Sequence, residues 1–100
     1  MENNIIVQLS SEISVQVSIP TLAQITQNKL DSILNVPDNY IHNGGFLLFF
    51  NTLQSLIYAN PEIPNRHANL ALAAVIAWKR SSNEYRLEFS RLAREAGIDN

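Results

Sequence analysis

From Ala68 to Trp78 the chain reads Ala-Asn-Leu-Ala-Leu-Ala-Ala-Val-Ile-Ala-Trp, and after Asn69 no side chain in the stretch is polar. On a helical wheel Leu70, Leu72, Ala73, Val75, Ile76 and Trp78 leave no sector for water, and a helix that is apolar on every side is a buried one. The sequence therefore predicts a central helix here, with Leu70 to Trp78 innermost and the other elements packed about it. An aspartate in place of Val75 or Ile76 is expected to unfold the domain, because an unpaired buried charge costs several kcal/mol.

What precedes that stretch changes its period at Pro20. The odd positions Ile5, Val7, Leu9, Ile13, Val15, Val17 and Ile19 are apolar while the even ones are mostly Gln and Ser, the alternation of a half-buried strand. Ser11 interrupts the row. A hairpin looped through Ser10, Ser11 and Glu12 sets Leu9 opposite Ile13, Val7 opposite Val15 and Ile5 opposite Val17, all on one face. A three-residue turn ordinarily wants glycine and none is present, so one long strand bent at Ser11 is the alternative.

Beyond Pro20 the spacing becomes helical. Leu22, Ile25, Leu30, Ile33 and Leu34 form one side of a helix over about 21–35, which ends at Val36-Pro37. Pro37-Asp38-Asn39 reads as a turn, and a loop runs on to Gly44-Gly45. A second amphipathic helix over about 46–59 carries the stripe Phe46, Phe49, Phe50, Leu53, Leu56 and Ile57, with Asn51, Thr52 and Ser55 opposite, which places it at the edge of the core. Leu47 and Leu48 fall outside that stripe, and either the glycine loop covers them or they form an exposed apolar patch that binds a partner. Asn65 is the expected N-cap of the central helix, over about 65–80. The Ser81-to-Glu84 spacing of a capping box marks a new helix over about 82–96, closed by Gly97 with Ile98 following, although one continuous helix is also compatible. The expected fold is α+β in a single domain: an N-terminal hairpin or strand followed by three or four helices around a buried central one.

A chain of 100 residues, 46% hydrophobic and 16% charged, has the balance of a folding domain rather than a disordered one. With no cysteine there is no disulfide framework or thiolate site. No apolar run approaches the ~20 residues that a membrane crossing needs, and no secretory signal is visible. The expected location is the cytoplasm. The formal charge of −2 opposes a broad nucleic-acid surface, yet the basic residues collect late in the chain. Lys79, Arg80, Arg86, Arg91 and Arg94 are the candidates for contact with an acidic partner or nucleic acid; offsetting helix macrodipoles is the simpler explanation of them.

Little in the chain points to catalysis. His42 and His67 are the only histidines and no carboxylate stands at ligand spacing from either, so neither a metal nor an acid-base role is expected. His42-Asn43-Gly44-Gly45 offers backbone amides at a helix start, but it lacks the lysine of a phosphate loop. Phe89 to Ile98 resembles the first helix and turn of a helix-turn-helix, although only Asp99 and Asn100 follow, too few for a recognition helix. Ile13 to Pro20 resembles the strand that leads into a helix in ribbon-helix-helix repressors, a likeness that implies DNA reading by Ser14, Gln16 and Ser18. No basic residue flanks that strand, the loop between the first two helices is too long for that family, and two more helices follow them.

The first-ranked function is therefore a small non-enzymatic protein-interaction module, such as an adaptor, inhibitor or assembly subunit, without cofactor or metal. Its interface is expected on Ile13, Val15, Val17, Leu47 and Leu48, through an apolar surface or a strand edge. Because a lone two-stranded ribbon is marginal in water and keeps open edges, self-association as a homodimer is also expected. A small DNA-binding regulator is the alternative.

Overall fold

The computed structural model of the chain describes residues 3–27, 38–40, 42–63 and 70–98. It begins with strands β1 (Asn4–Gln8) and β2 (Ser14–Ser18), which pair antiparallel in a two-stranded sheet. Helices α1 (Leu22–Gln27), α2 (Gly44–Ala59), α3 (Leu70–Arg80) and α4 (Asn83–Glu95) follow, with a 3-10 turn at Asp38–Tyr40 before α2. The architecture is α+β, as the change of period at Pro20 predicts.

The hairpin has the register expected from the alternation, with Val7 opposite Val15 and Ile5 opposite Val17. The amide of Leu9 donates to the Ile13 carbonyl at 2.9 Å and closes the loop through Ser10, Ser11 and Glu12. Serine stands in for the missing glycine. The Ser10 Oγ accepts from the amides of Glu12 at 3.3 Å and Ile13 at 3.1 Å, a side-chain turn that satisfies those donors within the loop. Ile5, Val7, Val15 and Val17 all face the core.

Local capping defines the helix starts. Thr21 and Gln24 bond reciprocally, amide to side chain in each direction, ahead of α1. The Asn43 Oδ1 accepts from the Phe46 amide at 3.0 Å, which starts α2 at Gly44, two residues earlier than the apolar stripe indicates. Ser82, rather than Ser81, caps α4 by accepting from the Tyr85 amide, so α3 and α4 are separate helices. At the far end Gly97 has φ +78°, and the Ile98 amide reaches the Ala93 carbonyl at 2.7 Å. That is the expected glycine stop with its hydrophobic follower.

The innermost helix is α2, not α3. Phe46, Phe49, Phe50 and Leu53 are at most 1% exposed, and α2 packs most extensively against α4. Phe49 is the hub: its ring lies 5.4 Å from Trp78, 5.6 Å from Phe89 and 6.2 Å from Tyr85. On α3 only Ala74, Ala77 and Trp78 are buried, while Leu72 is 55% and Ile76 42% exposed. The reason is area. Four of the first eight residues of α3 are alanines, which bury little surface, whereas the phenylalanines of α2 each bury a large one. An aspartate at Ile76 therefore keeps its carboxylate in contact with water, and the expectation that it unfolds the domain does not hold. Leu48 is also buried, because the core reaches further round α2 than its stripe indicates, and Leu47 is half-buried. Most of the predicted 21–35 helix beyond Gln27, the cap at Asn65, and His67 lie outside the described residues.

Candidate interaction site

The two-stranded sheet leaves two edges, and the hydrogen-bond phase shows which groups they present. Leu9 pairs with Ile13, and the Ile19 amide donates to the Asn3 carbonyl at 3.0 Å. Antiparallel ladders alternate, so Ile5–Val17 and Val7–Val15 are the bonded pairs between those ends. Asn4, Ile6 and Gln8 on β1, and Ser14, Gln16 and Ser18 on β2, consequently turn their backbone N–H and C=O groups outward. Among the described residues none of those outward groups has a hydrogen-bond partner.

Each edge is bordered by a cleft. Beside β2 lies one with an apolar floor of Val17, Ile25, Leu48 and Leu56, rimmed by side chains such as Gln24 and Asn51. Every described residue lining it is uncharged. Beside β1 lies a second, between Ile6 and Gln8 on the strand and Ala73, Ile76 and Ala77 on α3, with Arg80 at the rim. Ile6 is 59% exposed. Ile76 of the same cleft is also exposed, and Leu72 lies one helical turn from it on α3, which gives an apolar surface beside the outer edge of β1.

Of the interface residues expected from sequence, Val15, Val17 and Leu48 are buried in the chain's own core, so their side chains are not available to a partner. Ile13 and Leu47 are half-buried. The strand remains available through its backbone edge. The α3 face was not legible as a surface, because a helix apolar all round gives no sign of which side stays open.

The basic residues divide into engaged and free. The guanidinium of Arg86 donates to the Trp78 carbonyl at 3.1 Å and to the Ser81 carbonyl, and also reaches Asn83. It thus closes the C-terminus of α3, where carbonyls lack helical partners and the dipole favours a cation. Arg91 bridges Glu88 and Glu95 on the exposed side of α4. The hydrogen bond from Arg91 holds the Glu88 carboxyl below its usual range and raises the arginine in turn. Lys79, Arg80 and Arg94 are exposed and make no ion pair among the described residues.

Gly45, in the first turn of α2, has a packing role. A Cβ on Gly45 would stand 2.5 Å from the Ser90 Oγ and 3.1 Å from the Ser90 amide nitrogen, so Gly45 lets α4 approach α2 closely. The Phe46 amide is already taken by Asn43. His42 is exposed. Among the described residues no group of three His, Cys, Asp or Glu side chains is placed to hold a metal ion, and no helix is long and apolar enough to cross a membrane. No protein-family model matches the chain, and no curated protein or solved structure is significantly similar to it.

Proposed function

We propose that the chain is a small non-enzymatic protein-interaction module, an adaptor, inhibitor or assembly subunit that docks through the apolar face beside β1. One observation carries this reading: the exposed Ile6 and Ile76 line one cleft, with the exposed Leu72 one helical turn from Ile76, next to strand groups without hydrogen-bond partners among the described residues. Apolar area beside an open edge is a favourable docking surface, because a partner buries the first and pairs with the second. The test compares the proteins retained from lysate by the immobilised chain and by a Leu72→Ser/Ile76→Ser variant. Loss of specific partners by a variant whose circular dichroism matches the parent is expected. An unchanged set of retained proteins would refute the reading.

Self-association through the other edge belongs to the same proposal. The described residues of the β2 cleft carry no charge to repel a second copy, and two-fold pairing of Ser14–Ser18 would satisfy the outward groups of both chains. Gln16→Pro tests it: the Gln16 amide points away from β1, so proline blocks the edge without breaking the hairpin ladder. Light scattering at micromolar concentration should give two chains for the parent and one for the variant. A parent mass of one chain would dismiss the homodimer. The alternative of a DNA-binding regulator draws on five basic residues, and it is weakened by the engagement of Arg86 and Arg91 within the chain.

A further inference from the structure

The cleft beside β1 contains one feature that a purely apolar docking face does not use. Among the described residues Arg80 stands at its rim, no acidic side chain lines it, and the Arg80 guanidinium has no ion-pair or hydrogen-bond partner. Arg86 and Arg91, by contrast, are both satisfied within the chain. The cleft encloses about 620 Å³, within the ~300–1,000 Å³ range of ligand-binding clefts.

We propose that this cleft binds an extended segment of a partner protein that adds to β1 as a third strand and places a carboxylate on Arg80. The inference rests on the interaction-module reading and names the chemistry of the partner. An extended backbone is required because the outward N–H and C=O groups of Asn4, Ile6 and Gln8 recur at the two-residue strand period, which a helix cannot match. Alternate side chains of such a segment point to one side and there meet Ala73, Ile76 and Ala77. The carboxylate follows from charge: a free guanidinium beside a partly desolvated cleft gains a charge-assisted, bidentate partner. A second copy of this chain fits less well. It offers the uncharged segment Asn4–Gln8 and a second Arg80 in place of a carboxylate.

The test screens a library of synthetic octapeptides, with alternating apolar and polar positions, by fluorescence polarisation against the full chain. Each peptide is made with a free and with an amidated C-terminus, and with Glu or Gln at its polar positions. Binders are expected to carry a carboxylate at one end of the apolar alternation. Their affinity should fall roughly tenfold in Arg80→Gln, the scale of one charge-assisted contact at a partly exposed site, and stay unchanged in Arg94→Gln. Methylating an in-register peptide amide should weaken them comparably. Loss on amidation assigns the carboxylate to a chain end; loss on Glu→Gln assigns it to a side chain. Equal binding by Arg80→Gln and the parent would overturn the proposal while leaving the interaction reading intact. Absence of any binder, with the Leu72→Ser/Ile76→Ser variant still losing its partners, would overturn it too, because the face would then recognise a folded surface.

Discussion

Two alanine substitutions locate the centre of this core. Phe49 is fully buried and its ring meets Trp78, Tyr85 and Phe89, so Phe49→Ala removes a large side chain from close-packed aromatic neighbours. Substitutions of that kind cost about 3–5 kcal/mol through lost transfer energy and the cavity left behind. A domain of this length is stabilised by only about 5–15 kcal/mol in total. Leu72 is 55% exposed, so Leu72→Ala forfeits less than half of a full leucine burial, about 1 kcal/mol or less. It opens no cavity, because its outer side already meets water. Urea titrations followed by far-UV circular dichroism give both values, with comparable m-values as the condition for comparing them. The expected order is a loss several times larger at Phe49 than at Leu72. Equal losses above about 3 kcal/mol would mean that α3 is the enclosed helix, and the assignment of the centre to α2 would be wrong.

Gly45→Ala should lower stability by about 1–3 kcal/mol, the cost of overpacking. The Ser90 Oγ can rotate away, but its backbone nitrogen at 3.1 Å can retreat only if α4 shifts. Thermal melts of Gly45→Ala and of Gly45→Ala/Ser90→Ala check this, and a full rescue by the double variant would show that the hydroxyl alone was in the way. Tyr85→Phe removes the 2.8 Å hydrogen bond to the Val17 carbonyl and is expected to cost about 1 kcal/mol. It should also speed amide hydrogen exchange in β1 and β2; an unchanged exchange rate there would show that the bond does not hold the sheet.

The parts of the fold that were legible in the sequence are those set by neighbours along the chain. The hairpin register followed from the alternation through Ile5, Val7, Val15 and Val17, because a one-residue slip would turn that whole face outward. The stop at Gly97 was legible for a similar reason: the signal and its effect lie within a few residues of each other. The ranking of the helices was not. Hydrophobicity says that Leu72 and Ile76 resist water, but the amount of chain left to cover them depends on how α2 and α4 pack. The aromatic side chains of those two helices occupy the centre and leave α3 at the side. Nor was the role of Arg86 legible, since closing the end of α3 depends on the corner at Ser81 and Ser82 that brings α4 back beneath it. The candidate site shares this limit. Both clefts exist because α1 and α3 border the two strand edges, and no spacing within either strand records that arrangement.

What makes those edges suited to recognition is that the hairpin has already lost its freedom. An isolated two-stranded ribbon is marginal in water, and a partner that had to order it would spend binding energy doing so. Here Ile5, Val7, Val15 and Val17 are buried on the helices, and Tyr85 on α4 holds the Val17 carbonyl from inside the core. The outward groups of Asn4, Ile6 and Gln8 are therefore fixed in position before a partner arrives. Only the incoming segment has to be ordered, so more of the gain from apolar burial and backbone pairing remains as affinity. The exposed face lies beside β1 because α3 packs on that strand while Leu72 and Ile76 of the same helix remain 55% and 42% exposed. An edge whose free groups are fixed, an apolar helix face alongside and a guanidinium without a partner among the described residues would together suit the proposed ligand, an extended chain with apolar side chains and a carboxylate.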